Sequence, residues 1–150
     1  MLIQTRRFGA LEVDEGAILT MRRGLLGFEN YHRYVLIQSQ EEDVFRWMQC
    51  VDDPALAFVV IDPVQWFPDY CVNLADEDAL DLGIENPDEA GICAIVTIPP
   101  RMEEMTANLL GPIIINVNNG LAAQIILDDT RYHTRHRLLV ETPQACTNAA

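Results

Sequence analysis

At 150 residues the chain has the size of one domain with a core of its own, and its net charge of −13 argues against holding a nucleic-acid backbone by charge attraction. The longest unbroken apolar run, residues 55–61, falls far short of the about 20 residues a membrane helix needs. Four cysteines without a Cys-x-x-Cys spacing read as reduced and structural, which fits the cytosol.

Residues 1–16 carry charges throughout and lack the apolar core of a leader, so no secretory signal is expected. Residues 2–5 read as a first strand, Phe8-Gly9 as a turn, residues 10–13 as the return strand and 18–21 as a third. Gly24 and Gly27 mark an irregular loop, with Leu25, Leu26 and Phe28 expected to anchor it to the core. Residues 34–38 form the next strand, followed by the acidic loop Glu41-Glu42-Asp43. Residues 45–51 alternate, with Phe45, Trp47, Gln49 and Val51 on one face. With the turn at Asp52-Asp53-Pro54, this strand and the run 55–61 predict a hairpin whose second strand is buried on both faces. Asp62-Pro63 ends that strand, and Trp66, Phe67 and Tyr70 follow without a regular period, as an aromatic surface loop.

Residues 70–74 read as a further strand. Residues 76–83 predict a two-turn helix: Asp76 as its N-cap, Glu77 and Asp78 at the positive end of the dipole, and Gly83 as its stop. Residues 92–98 form an apolar strand ended by Pro99-Pro100, and residues 102–108 suggest at most one helical turn. Residues 112–117 and 121–127 flank Asn118-Asn119-Gly120, which predicts a hairpin with a type I′ turn. Residues 128–136 are polar and turn-like. The expected organisation is one mostly antiparallel, β-barrel-like domain over residues 1–137, with one or two short helices and a loosely held tail over 138–150.

The search for chemistry returns little. Ser39 is the only serine, and no nucleophile elbow surrounds it. The cysteines sit in apolar or acidic sequence, not beside the positive charge that activates a thiol. There is no P-loop and no dinucleotide fingerprint. His133 and His136 with Asp128 and Asp129 could in principle hold a transition metal, but the same segment carries Arg131 and Arg135, so structural polar contacts are expected there instead. The pattern makes no case for an enzyme, a cofactor or a small-molecule substrate.

Protein recognition fits better. The ten basic residues are all arginine, and residues 41–104 hold 16 acidic residues against Arg46 and Arg101, a net of −14. Such a field attracts a basic partner over a Debye length of about 8 Å at physiological salt. Trp66, Phe67 and Tyr70 are candidate interface anchors, Met102 and Met105 adaptable contacts, and Thr106 and Asn108 polar groups that cap a turn or meet a partner.

Five stretches in order carry a family resemblance: residues 24–29 (GLLGFE), residues 51–63 from VDDP to DP, residues 67–70 (FPDY), residues 94–99 (AIVTIP) and residues 105–113 (MTANLLGPI). Together they resemble the bacterial flagellar assembly factor family FliW, over about residues 2–136 and with Leu26 where that family favours proline. The resemblance implies a cytoplasmic, non-enzymatic, barrel-like protein. It implies binding to the translational regulator CsrA, which relieves repression of flagellin mRNA by a non-competitive route, and binding to flagellin in a partner switch. On this reading the acidic segment meets CsrA, and the candidate contacts are Phe67, Asp69, Tyr70, Asp76, Glu77, Asp78, Met105 and Asn108. Two alternatives stand beside it: a flagellin chaperone that does not touch CsrA, and a small β-barrel metal-binding protein or enzyme using Asp128, His133 and His136.

Overall fold

The structure, a computed structural model, describes residues 1–38 and 44–138. Ser39, the acidic loop 41–43, Cys146 and the rest of the tail after Leu138 lie outside these residues. The first two strands, β1 (Leu2–Thr5) and β2 (Gly9–Glu12), pair antiparallel as a separate hairpin. Thr5 closes its turn by accepting from the Phe8 N–H and donating to the Gly9 carbonyl. The Arg6 N–H donates to the Pro54 carbonyl at 2.8 Å and so ties this hairpin to the main body.

The main body is a closed barrel. The strands β3 (Ile18–Met21), β4 (Arg33–Ile37), β5 (Arg46–Cys50), β6 (Ala57–Ile61) and β7 (Ala90–Thr97) follow one another antiparallel. Further along the chain come β8 (Thr106–Ala107), β9 (Ile113–Asn116), β10 (Leu121–Gln124) and β11 (His136–Arg137). β9 pairs antiparallel with both β7 and β10, and β10 returns parallel to β3, which closes a ring of seven strands. Closure leaves those seven without a free edge, the barrel solution to unpaired backbone groups.

One feature of β7 breaks the regularity. Its edge away from β6 is shared: Ala90 to Cys93 pair with β9, while Val96 and Thr97 pair with β8, which carries β11 on its far side. The barrel wall therefore forks, and residues 108–112 bridge the two branches.

Alternation along the strands separates three cores. Met21, Tyr34, Met48, Cys50, Val60, Cys93, Ile113 and Ala122 fill the barrel interior. On the next positions outward, Val59, Ile61, Ala94 and Val96 face an outer layer with Tyr70, Met105, Ala107, Leu109 and Leu138. A third cluster puts Leu82 against Ile114, Ala123 and Ile125. The β6 run lacks polar alternation because its two faces serve two different cores.

Several local expectations change. The segment after β6 is not an open loop: Asp62 accepts from the Val64 N–H at 3.2 Å and caps a single helical turn, α1 (Pro63–Trp66). In α2 (Asp76–Leu82) the N-cap is Ala75 and makes no side-chain bond, so Asp76 is the first helical residue. The Asn118-Asn119-Gly120 hairpin forms, but β9 and β10 are joined by a wider turn than the type I′ expectation. Ile115 lies opposite Ala122, and the Gly120 N–H closes on the Asn116 carbonyl at 2.9 Å. The buried Asn116 side chain sets this width. Its Nδ2 donates to the Leu82 carbonyl while its Oδ1 accepts from the Asn118 N–H. Leu138 is buried and donates its N–H to the Met105 carbonyl, as part of the fold. Of the loop anchors, Leu25 is buried, whereas Leu26 and Phe28 are exposed.

Candidate protein-binding surface

The aromatic corner after α1 is built mainly from inside. Trp66 and Phe67 are half-buried against the outer core, Trp66 beside Phe45 and Phe67 edge-on to His136, each at 5.9 Å. Tyr70 is buried: its hydroxyl donates to the Leu109 carbonyl at 2.7 Å and its ring meets Tyr132 edge-on at 4.7 Å. Burial pushes its phenol well above the ordinary range. The aromatic surface loop expected from the sequence is thus mostly core, and its exposed members are Pro68 and Asp69. Met105 is likewise buried, beneath the same layer.

The acidic helix divides in a similar way. Asp76 and Glu77 are exposed, whereas Asp78 pairs with Arg23 at 2.9 Å and Asp81 with Arg22 at 3.1 Å. Those two pairs fasten α2 to the start of the Gly24 loop. Asp78 also lines a depression of about 390 Å³ together with Cys71, Asn73, Asp128 and Asp129. Acidic residues about fifty positions apart in sequence therefore share one concavity. Asp129 is held by Arg131 at 2.6 Å, and that bond draws its carboxyl down to about 2.

The histidine segment is wired internally. The two rings stack at 3.8 Å; His136 Nε2 accepts from the His133 N–H, and His133 Nδ1 accepts from the Arg135 N–H. One nitrogen of each ring is thus committed to the loop, and Asp129, next to the Asp128 of the alternative metal set, is committed to Arg131. Among the described residues, no group of three or more His, Cys, Asp or Glu side chains converges on one point.

A further concavity is one the sequence did not single out. At the fork in the barrel wall lies an open groove of about 660 Å³. It is lined by Phe58 and Ile95 of the barrel, by Leu26 and Phe28 of the Gly24 loop, and by Arg135 and Arg137. Asn108 also lines it, with its side-chain oxygen accepting from the Leu110 and Gly111 N–H groups. The family model described as FliW protein matches residues 2–138.

The chain belongs to the FliW family.

It is 41% identical over 150 residues to the flagellar assembly factor FliW of Caldanaerobacter subterraneus subsp. tengcongensis, covering 99% of this chain and 100% of that one. The flagellar assembly factor FliW of Treponema denticola is 40% identical over 148 residues, covering 99% and 100%. A crystal structure of the flagellar assembly factor FliW superposes with a TM-score of 0.87 at 37% identity, covering 95% of this chain and 99% of that chain. The FliW barrel is therefore the fold of this chain.

The family-bearing stretches also acquire a location. Residues 24–29, 51–63, 94–99 and 105–113 all contribute side chains to the groove: Leu26 and Phe28, Phe58, Ile95 and Thr97, Thr106 and Asn108. The fifth, residues 67–70, forms the aromatic corner. The Gly24 loop was marked by its two glycines and three large apolar residues, but all three were expected inward, and the exposure of Leu26 and Phe28 is what the structure adds. Arg135 and Arg137 had no such signal. No helix among the described residues is long and apolar enough to cross a membrane.

Proposed function

We propose that this FliW-family protein is a cytoplasmic, non-enzymatic regulator of flagellar assembly. It binds CsrA and relieves repression of flagellin mRNA, and it binds flagellin in exchange. The observation that carries this reading is the end-to-end similarity to flagellar assembly factors, 41% identity over the whole of one such chain. The surface chemistry agrees with it. A protein of net charge −13 brings a strongly negative field to a basic RNA-binding partner, which speeds encounter and repels RNA nearby.

On this reading the CsrA-facing contacts are the accessible ones: Asp69, Asp76 and Glu77, with the exposed edge of Phe67. Asn108 stands apart from these, in the groove, where its side-chain oxygen holds the Leu110 and Gly111 N–H groups. Tyr70 and Met105 act from beneath, by fixing the backbone that presents these side chains. Asp78 contributes to the field of α2 while its carboxylate holds Arg23.

The test is to mix the purified protein separately with CsrA and with flagellin and to size each mixture. A complex with each is expected, and added flagellin should release CsrA. A complex with flagellin alone would leave a flagellin chaperone, and no complex with either would sink the assignment.

A further inference from the structure

We infer that the groove at the fork of the barrel wall is a docking site for a segment of another protein that carries apolar anchors next to a carboxylate. Of the two partners in the reading above, on which this inference rests, the groove serves flagellin and not CsrA.

The apolar half of the site is presented on purpose-built backbone. Leu26 is 65% exposed and Phe28 37%, and both line the groove from the same loop. Single exposed apolar residues are ordinary, but a cluster of them in a concavity marks an interaction surface. Their loop is fixed before any partner arrives. The Leu26 N–H donates to Gln124 Oε1 at 3.1 Å, and the Phe28 ring meets Phe58 edge-on at 5.2 Å. Gly24 has φ +72°, and a Cβ there would stand 2.7 Å from the Glu29 Cα, so only glycine lets the loop close this tightly. A preformed wall spares a ligand the cost of ordering it.

The polar half supplies the complementary charge. Arg22, Arg23, Arg33, Arg101 and Arg131 all lie within ion-pair distance of a carboxylate. Arg135 and Arg137 make no ion pair among the described residues; Arg137 donates to the Glu103 carbonyl at 3.3 Å. Arg6, Arg7 and Arg46 also lack an ion pair among the described residues but lie outside the groove, so Arg135 and Arg137 are the two guanidinium groups that line it beside apolar side chains, suited to a carboxylate from outside. Glu104 also lines the groove, so the incoming carboxylate is directed to the arginine wall. A basic RNA-binding surface would meet Arg135 and Arg137 as like charges, and its natural counterpart is the acidic surface elsewhere on the molecule.

The experiment measures affinity for purified flagellin and for purified CsrA with three proteins: wild type, Leu26→Asp, and the double variant Arg135→Glu/Arg137→Glu. All altered side chains are exposed, and thermal melting checks that each variant folds. Both variants should lose at least tenfold in affinity for flagellin and stay within twofold of wild type for CsrA. Flagellin affinity within twofold of wild type for both variants would overturn the inference. Loss of CsrA binding with flagellin binding retained would overturn it as well, by giving the groove to the other partner. Wild-type protein that binds neither partner would overturn the functional reading itself, a result distinct from the others because it does not involve the variants.

Discussion

Tyr34 and Tyr70 are both buried, and they differ in one bond. The Tyr70 hydroxyl donates to the Leu109 carbonyl, whereas the Tyr34 hydroxyl has no hydrogen-bond partner among the described residues. In both, burial pushes the phenol upward, so each is a neutral hydroxyl at neutral pH. Removing one partner of a buried hydrogen bond costs about 1–3 kcal/mol, while removing an unpaired buried hydroxyl costs little and can stabilise. Tyr70→Phe should therefore lower the unfolding free energy by about 1–3 kcal/mol and Tyr34→Phe by none, as read from urea denaturation. Equal losses in the two variants would contradict the assignment of partners. The contrast also shows where residue-level reading of the sequence stops. Trp66, Phe67 and Tyr70 are grouped without a period, and what lets the Tyr70 hydroxyl be buried is a carbonyl 39 residues away. Asp62-Pro63 was nearer to legible. An Asp N-cap followed by proline at the first helical position announces a helix, but the same dipeptide ends a strand, and a helix of four residues is too short for periodicity to decide.

The elements show the same division between local and distant causes. The strand of residues 18–21, the apolar run 55–61 that contains β6 and the β9–β10 hairpin were legible because each shows in its own stretch, by apolar composition or by the Asn-Gly that marks a turn, although the turn itself is wider than expected. The parallel β10–β3 pairing and the fork of β7 were not, because both join segments far apart in sequence. β11 is the element most exposed to this. It is two residues long, pairs only with β8, and leaves the stacked histidines at its start. His136 packs against Phe67 and Tyr132, and its pKa is lowered first by burial and then by the neighbouring His133. A histidine with a depressed folded pKa takes up its proton more readily when unfolded. Its contribution is complete above the unfolded value of about 6.5 and is lost as pH falls through the folded value. Unfolding free energy should accordingly fall between pH 7.5 and 5.5. His136→Gln keeps an acceptor for the His133 N–H without titrating, so it should show a shallower fall over that interval. Parallel pH profiles for the two proteins would rule out a role for His136.

At the scale of the whole molecule the acidic segment was the clearest compositional signal, and folding redistributes it. Arg22, Arg23 and Arg33 all precede the segment in sequence, yet they pair with Asp81, Asp78 and Asp52 inside it. The field offered to a partner is therefore weaker than the net of −14 suggests, and it resides in the carboxylates without an arginine, among them Asp69, Asp76 and Glu77. That distinction separates two sets of charge changes. Reversing Asp78 removes a tie between α2 and the Gly24 loop, so any effect on binding would mix stability with electrostatics. Reversing Asp69, Asp76 and Glu77 to lysine alters exposed side chains with no ion pair among the described residues; because Asp76 and Glu77 sit in the first turn of α2, thermal melting of the variant separates lost helix-dipole stabilisation from the lost field. The triple variant should bind CsrA at least tenfold more weakly at low salt. Its deficit should shrink as the Debye length falls from about 10 Å at 0.1 M to about 3 Å at 1 M. The association rate should carry most of the loss, since peripheral charges steer encounter more than they hold the complex. An affinity unchanged at low salt would remove electrostatic steering from the account of CsrA binding.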